Sequence, residues 1–425
     1  MGTRDRLQDF RRIRSNVRGS DKYLLVGIDV AKSTHHAFFG TATGRTVAKR
    51  LVFENDQRGF QLLLCFAADL QKRHCLPEAI FAVEPTASYH KPLAEYLIRA
   101  GEHVVYVSTV AAKRNRELLA GRWDKNDKKC AANVADLVSQ GRFLYYDLQE
   151  PRLRELSSLL RSRAWLKKQQ QRTRMRVRNH LVAQYFPELD PQFPAQRLVL
   201  STVRTCLDPR EIAAMDYFEF AGLVARKNRG EKENRRIETI WRHAAESVGC
   251  EMPKAVQWEA RMLVDHLTQL QDNLREAEAR IHTIAESLPA YECLLSIPGF
   301  GPIVSAMVLA AIGDPHRFDN RRQLLRLAGL DLMASRSGKN SSSVVPVISK
   351  QGKTDLRCMM VHAAQVSATK NLQIHRHYTN LLDGRQHERG IRLKMKIKLS
   401  AKLLVVAWTL MKRQEMFDPT KFEVP

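Results

Sequence analysis

Short apolar runs alternate with amphipathic stretches over the first 150 residues of the chain. The runs YLLVGID from Tyr23, HHAFFG from His35 and TVAKRLVF from Thr46 are rich in β-branched and aromatic residues, and polar or glycine-containing turns separate them. Each run therefore predicts one strand of a three-stranded meander. A helical stretch from Gly59 to Lys72 precedes a fourth predicted strand, AIFAVE, which ends at Glu84.

A second helix, a fifth strand beginning at His103 (HVVYVS) and a helix beginning near Asp127 complete the predicted order βββαβαβα. Strands in this order, buried beneath helices, are typical of a mixed sheet of the α/β class. We expect this domain to cover residues 21–150, after a basic leader at 1–20.

From Pro151 to about Tyr185 the pattern turns helical and basic around Trp165. Ten cations and one acid would repel one another unless they were counter-charged, which favours contact with phosphates; a solvated helix face is the alternative. These cations are Arg152, Arg154, Arg161, Arg163, Lys167, Lys168, Arg172, Arg174, Arg176 and Arg178. Residues 186–255 are rich in turns and charge and contain no motif that indicates a function.

A heptad pattern follows, in which apolar residues alternate at spacings of four and three along one helix. We expect this seam to pair with another helix, for instance one from a second subunit, although packing on its own domain would produce the same pattern. The seam consists of Leu263, Leu267, Leu270, Leu274, Ala277, Ile281, Ile284 and Leu288.

Residues 151–289 are thus predicted to be a helical and coiled-coil region. Residues 290–415 form a second predicted domain, mainly helical, followed by a tail at 416–425. This domain contains LLSIPGFGPIVSAMVLAAIGD and a Ser-rich loop, and it closes with a basic helix. The basic residues of that helix are Arg392, Lys394, Lys396, Lys398 and Lys402.

Charge and cysteine content restrict the class of protein. The 69 Lys and Arg residues outnumber the 45 Asp and Glu residues, a net charge of +24 that fits a polyanionic partner such as nucleic acid. A membrane surface is the rival partner, but no apolar run is long enough to span a bilayer and the N-terminus has no secretory signal, so we expect a cytoplasmic protein. The seven scattered cysteines form no CxxC pair, and they indicate neither a disulfide framework nor a zinc site.

Three acidic residues stand where the predicted elements begin or end. Asp29 lies near the end of the first strand, Glu84 at the end of the fourth, and Asp127 at the start of a helix. If the first and fourth strands are neighbours, these carboxylates can converge and hold Mg²⁺. The metal would activate the attacking oxygen and stabilise the leaving oxygen in a phosphoryl transfer. A lone Asp at a strand end is more often a cap or turn residue, so the arrangement matters more than any single residue.

The segments VGIDVAKSTH, VEPTASYHKPL and DKNDKKCAANVADL resemble the three acidic motifs of the DEDD transposases, the RuvC-like insertion-sequence family that includes Piv-type DNA invertases. The resemblance implies a ribonuclease H-like sheet in which Asp29, Glu84 and Asp127 bind Mg²⁺ or Mn²⁺. Cys130 stands at the position of the family's fourth acid, and a thiol is a soft ligand that does not replace a carboxylate for Mg²⁺. Asp124, one helical turn before Asp127, is a candidate for the fourth acid, and a site that works with three acids is the alternative.

The C-terminal segment LLRLAGLDLMASRSGKNSSSVVPVISKQGKTDLR resembles the serine domain of the same family, with its A-G-L, Ser-Gly and I-S-K-x-G-x-x-x-L-R segments in order. The resemblance implies that Ser337 is the nucleophile and that it forms a covalent ester with a DNA phosphate. Lys350 and Arg357 could then contact phosphates. Other serines of the loop compete for the role: Ser335, Ser341, Ser342 and Ser343.

The turn PGFG resembles part of this domain too, although a helix-hairpin-helix that binds a DNA backbone would show the same glycines.

The expected function is therefore that of an insertion-sequence transposase or recombinase that cuts and rejoins DNA. The family implies a homodimer or homotetramer in which the acidic site of one subunit meets the serine of another, guided by a structured bridge RNA and associated with the nucleoid when active. Candidate nucleic-acid contacts are Arg172, Arg174, Arg176, Arg178, Lys350 and Arg357. There are two rival functions. One is that of an inactive DNA- or RNA-binding relative. The other is that of an actin-like ATPase or sugar kinase: VGIDVAKST also resembles the first phosphate loop of that fold, but its further glycine-rich loops are not found in the sequence.

Overall fold

The structure is a computed structural model, and it describes residues 3–85, 87–120, 127–226, 230–333 and 347–422. The chain divides into two compact units, Met1–Gln149 and Glu150–Pro425, and each is considered by itself.

In its described residues, the first unit combines five helices with six strands. Helix α1 precedes the meander of β1, β2 and β3; helix α2, strand β4, helix α3 and strand β5 follow, and then helices α4 and α5 and strand β6. The elements are α1 (Thr3–Asn16), β1 (Tyr23–Asp29), β2 (Thr34–Thr41), β3 (Thr46–Glu54), α2 (Gln57–His74), β4 (Glu78–Val83), α3 (His90–Arg99), β5 (His103–Tyr106), α4 (Thr109–Ala120), α5 (Asp127–Ser139) and β6 (Leu144–Tyr145).

All six strands form one mixed sheet in the order β3-β2-β1-β4-β5-β6. The β1–β4 and β4–β5 pairs are parallel, and the others are antiparallel. The predicted mixed α/β sheet is confirmed, and the first and fourth strands are neighbours, which was the condition for the carboxylates to converge. The predicted element order was incomplete because it lacked α1, α4 and β6. Within the stretch expected to be a basic leader, Ile13 and Val17 are buried against the sheet.

Alternation along the strands sorts the side chains onto two faces of the sheet. Leu24, Val26 and Ile28 of β1 pack in a cluster with residues of α2 and α3. Tyr23 and Leu25 point to the other face, where their cluster includes residues of α1, α4 and α5. Because both faces are covered, the central strands read as nearly continuous apolar runs.

The second unit is mainly helical. Its elements are α6 (Pro151–Arg176), a π-helical segment (Val177–Val182), α7 (Ala183–Tyr185), α8 (Gln196–Thr205), α9 (Pro209–Ala214), α10 (Tyr217–Val224), α11 (Glu231–Ala245), α12 (Lys254–Glu286), α13 (Ala290–Leu295), α14 (Pro302–Ile312), α15 (Arg321–Ala328), β7 (Leu332–Met333), β8 (Val347–Ile348), α16 (Thr354–Lys370), α17 (Leu372–Leu382) and α18 (Ile391–Arg413).

The heptad seam of α12 does pair with a helix, and that helix is α6 of the same chain. Leu166 of α6 packs in one cluster with Leu270, Leu274 and Ala277 of the seam. The pair is antiparallel, because Arg163 of α6 binds Glu278 near the end of α12 whereas Arg176 binds Glu259 near its start. The heptads predicted pairing with another helix, and the partner comes from the same chain; a second subunit was one possible source of that helix, and the seam offers no support for it.

Candidate acidic site and serine loop

Two acidic residues occupy neighbouring backbone positions where β1 and β4 end. The last pair in the parallel register of these strands is Ile28 with Val83; Asp29 is the last residue of β1, and Glu84 directly follows β4. Leu25 on β1 lies four residues before Asp29, and Ile80 and Ala82 on β4 lie four and two residues before Glu84. Residues at even spacings share one face of a strand, and these three pack in the cluster that includes α5, so both acidic side chains belong to that face. The structure thus brings together two of the acids expected from the sequence.

Helix α5 crosses this same face with its N-terminal end toward the carboxylates. The contact is close because Gly27 of β1 has no side chain: a Cβ atom there would lie 2.1 Å from the carbonyl oxygen of Ala131 and 2.6 Å from the amide nitrogen of Ala135. Asp29 lies two residues further along β1, and α5 begins at Asp127, four residues before Ala131. The backbone of Asp127 therefore starts the helix at the end of the sheet that carries Asp29.

The remaining positions of the acidic motif are only partly described. The side chain of Asp127 and the whole of Asp124 lie outside the described residues. Cys130 is described, and its side chain is only 1% exposed. A thiol so little exposed is part of the interior of the first unit.

Helix α4 adds a cation to this site that the sequence analysis missed. The Arg116 guanidinium lies 3.9 Å from the Glu84 carboxylate, and both side chains are largely buried. An amide pair fixes α4 to α5: Asn115 donates to Asn133 and to Asp136 at 2.8 and 2.7 Å, and Asn133 donates to the Ala112 carbonyl at 2.7 Å. A single arginine in an amphipathic helix carries no motif, so only the fold reveals that it approaches Glu84.

The donor chemistry at this edge fits Mg²⁺. Such sites typically use one or two carboxylates together with water and substrate phosphates rather than a complete protein cage. Asp29 and Glu84 supply two carboxylates, and among the described residues no group of three or more His, Cys, Asp or Glu side chains forms a metal cage. The first unit also contains a cavity of about 500 Å³ beside α5, whose lining includes Arg116, Asn133 and Asp136.

In the second unit, two short paired strands, β7 and β8, flank the Ser-rich segment, which is called the serine loop below. Ser337 lies outside the described residues, but β7 and β8 on either side of it pair as antiparallel strands. The Ser349 amide donates to the Asp331 carbonyl at 2.8 Å, and the Ser349 hydroxyl donates to the Asp331 carboxylate. The two ends of the loop are therefore held together at its base.

Arg357 of α16 binds the base of this loop. Its Nη1 donates to the carbonyl oxygens of Ala328 at 3.0 Å and Lys350 at 3.3 Å. Gly329, with a positive φ of 65°, makes this approach possible, since a Cβ there would lie 2.7 Å from the same Nη1. Arg357 was expected to contact phosphates; in the structure its guanidinium holds the loop base, whereas the Lys350 side chain is exposed.

The PGFG turn has a packing role. Gly299, with φ at 91°, presses against α16, and a Cβ atom there would lie 2.5 Å from the hydroxyl oxygen of Ser367. That hydroxyl donates to the carbonyls of Pro298 and Ala363. Gly299 is therefore required by the interior of this unit, whereas Gly301 faces open space.

The four arginines expected to bind nucleic acid differ in their surroundings. Arg176 donates from Nε to Glu259 at 2.9 Å, and Arg178 binds both oxygens of Asp190 at 2.6 and 2.9 Å. Arg172 is exposed and Arg174 is half-buried. Two of the four thus already have acidic partners within the unit.

Comparison with known proteins gives two family matches. Residues 26–187 match a family described as "Transposase", of the DEDD type associated with IS110, and residues 291–379 match the family described as "Transposase IS116/IS110/IS902 family". The two ranges together make up more than half of the chain and include both candidate sites.

Individual relatives are distant. The chain is 26% identical over 181 residues to the transposase for insertion sequence element IS1111A of Coxiella burnetii, over 41% of this chain and 46% of that protein. It is 26% identical over 328 residues to an uncharacterised 43.6 kDa protein of insertion element IS110 from Streptomyces coelicolor, over 75% of this chain and 78% of that protein. The match thus spans less than half of the Coxiella protein. Among the helices of the described residues, none is long and apolar enough to cross a bilayer.

Proposed function

The chain belongs to the IS116/IS110/IS902 family of insertion-sequence transposases, and from this membership we propose that it cuts and rejoins DNA through a covalent ester at Ser337, assisted by a divalent metal at Asp29, Glu84 and Asp127. The observation that carries the acidic half of the proposal is the adjacency of Asp29 and Glu84 on one face, beneath the start of α5. A DEDD-type domain suggests use of a divalent metal.

Each group at the acidic edge has a chemical task. Asp29 and Glu84 are hard oxygen donors, and the backbone of α5 begins above them with the positive end of its helix dipole, which favours negative charge there. Arg116 stands beside Glu84 and balances part of the carboxylate charge. When bound, Mg²⁺ or Mn²⁺ would activate the attacking oxygen and stabilise charge on the phosphate oxygens.

The serine step needs no external energy source. The Ser337 hydroxyl loses its proton as Oγ forms a bond to phosphorus, and the bond from phosphorus to one strand oxygen breaks, so that this strand end leaves as a hydroxyl. In rejoining, a hydroxyl end of another strand attacks the same phosphorus and releases the serine. One phosphoester bond forms for each that breaks, so ATP is not required.

The proposed partners follow from charge and family. A net charge of +24 suits DNA at the element ends and target, together with a structured bridge RNA. The proposal includes a homodimer or homotetramer in which the acidic site of one subunit acts with the serine loop of another, and action in the cytoplasm at the nucleoid.

The decisive experiment is to incubate the protein with Mg²⁺ and DNA from its own element's ends, with and without the flanking transcript, and to look for an adduct that survives denaturation. We expect an adduct in the wild type and in Ser335→Ala, but none in Ser337→Ala. Asp29→Asn and Glu84→Gln should reduce adduct formation by about 10² or more, whereas Asp69→Asn on the exposed face of α2 should not. An adduct that persists in Ser337→Ala would assign the nucleophile to another residue.

A binding protein without catalysis is the second candidate, and Cys130 is the observation that favours it. A buried thiol at the position of the family's fourth acid removes one hard donor from the site. That reading predicts tight binding of element DNA with no adduct under any metal condition.

A further inference from the structure

Four exposed residues form a continuous ridge along α6: Arg161, Trp165, Lys168 and Arg172. Their spacings of four, three and four residues place them within an arc of about 60° on a helix that turns 100° per residue. The opposite side of α6 buries Leu156, Leu160 and Leu166. These four residues, called the α6 ridge below, therefore face away from the core of the second unit.

The ridge is positive without local compensation. From Leu156 to Pro187 the sequence contains no Asp or Glu. The acids that approach α6 from neighbouring segments bind other arginines, since Glu278 binds Arg163, Glu259 binds Arg176 and Asp190 binds Arg178. Within the described ranges, none of the three cations of the ridge forms an ion pair with an acidic side chain. Their charge is thus available to a polyanion.

Trp165 distinguishes this ridge from an ordinary solvated helix face. Its indole is 58% exposed in the middle of the three cations. An aromatic plane between cations suits a ligand that carries both flat apolar surfaces and phosphates, because unpaired bases stack on exposed aromatic rings while cations follow the backbone. A base inside a duplex is already stacked and does not offer its face to Trp165.

We propose that the α6 ridge binds a single-stranded nucleic-acid segment, with an unpaired base stacked on Trp165 and its flanking phosphates on Arg161, Lys168 and Arg172. The eleven residue steps from Arg161 to Arg172 extend over about 17 Å at 1.5 Å per step, enough for several consecutive nucleotides. The inference rests on the proposed function, since strand exchange and a structured RNA both present unpaired nucleotides. DNA and RNA share the chemistry that the ridge recognises.

The test is equilibrium binding of labelled 12-nucleotide oligo-dT and oligo-U and of a 12-base-pair duplex to the full-length protein in EDTA, where no cleavage takes place. Trp165→Ala should weaken binding to at least one single strand about five-fold or more, and Trp165→Phe should weaken it less, because loss of one stacked base costs about 1–3 kcal/mol. Duplex binding should change by less than two-fold. Whether dT or U shows the larger loss identifies DNA or RNA as the source of the strand.

Charge is tested separately with the triple variant Arg161→Gln, Lys168→Gln, Arg172→Gln. Removal of three phosphate contacts should reduce the slope of log affinity against log salt by about 2 for a single strand. The matched control is Arg242→Gln, Arg275→Gln, Arg280→Gln, which removes the same charge from arginines that bind acids on their own helices. This control should leave the slope unchanged.

Three results would overturn the inference: unchanged single-strand binding in Trp165→Ala, an equal loss of duplex binding, or an equal loss of slope in the control triple. All substitutions are at exposed positions, and an unchanged melting temperature shows that each variant is folded. Because the assay contains no metal, it is independent of the chemistry at Ser337. Ser337→Ala should bind oligonucleotides normally even if it forms no adduct, so failure of one proposal is distinguishable from failure of the other.

Discussion

Gly27 of β1 lies directly beneath Ala131 of α5, so close that a Cβ atom at Gly27 would stand 2.1 Å from the Ala131 carbonyl oxygen. No ordinary side chain tolerates such a distance, and either the helix or the strand would have to move. Asp29 is two residues away on β1, and Asp127 begins the helix. The missing side chain at Gly27 thus determines how closely the start of α5 approaches the end of β1.

We expect Gly27→Ala to reduce catalysis strongly, because the added methyl group pushes α5 away from β1. Overpacking of this kind costs about 1–3 kcal/mol of folding stability. Adduct formation with element-end DNA and the melting temperature should both fall. Gly222→Ala is the control, since a Cβ there meets open space and alanine is favoured in a helix. Wild-type activity in Gly27→Ala would mean that the approach of α5 does not control the site.

The sequence was sufficient to predict the central strands and the position of the two acids. Apolar runs such as YLLVGID can be buried on both faces only inside a covered sheet, and a carboxylate directly after such a run must lie at the sheet edge. The adjacency of β1 and β4 was a condition of that prediction, and the register of Ile28 with Val83 meets it.

Other features depend on contacts that no pattern shows. The heptads of α12 predicted that the helix has a partner, but periodicity does not identify the partner, and α6 supplies it from the same chain. The approach of Arg116 to Glu84 depends on the buried Asn115–Asn133 pair between α4 and α5. Two asparagines 18 residues apart give no periodic signal in the sequence, so the hydrogen bond between them is seen only in the structure.

Arg357 should act as a positioning residue for the serine loop. We expect Arg357→Gln to release the loop base, because it removes the guanidinium that joins the Ala328 and Lys350 carbonyls. Hydrogen exchange should then accelerate at the amides of Lys350 and Lys353, which donate to Gly329 and Leu327. Adduct formation should fall with little change in DNA affinity.

The control for Arg357 is Arg385→Gln, because the Arg385 guanidinium binds Glu388, three residues further along the chain. It should alter neither exchange nor adduct formation. If Arg357→Gln instead weakened DNA binding in proportion to its loss of adduct, with exchange at the loop base unchanged, the guanidinium would contact phosphate as the sequence pattern suggested.

The last prediction concerns the anchor of α1. Arg12 donates from both terminal nitrogens to Glu78 at the start of β4, each at 2.9 Å. This hydrogen bonding is the main cause that lowers the pKa of Glu78, and it also raises the pKa of Arg12. A carboxyl group whose pKa is lower in the folded state stabilises the fold above its unfolded pKa of about 4.3, and the contribution disappears as the pH falls through the folded value. His103 lies 3.5 Å from Glu78, and burial lowers the pKa of its imidazole.

A double-mutant cycle of Arg12→Gln and Glu78→Gln separates this pair from other groups that titrate. At pH 7 we expect a coupling free energy of about 0.5–1 kcal/mol, as for partly exposed ion pairs. The coupling should stay constant down to about pH 4.5 and then decline as Glu78 is protonated. Each value comes from thermal or urea unfolding of the four proteins at a series of pH values. A coupling that showed no decline as the pH was lowered would indicate that packing of α1 rather than charge links the two residues.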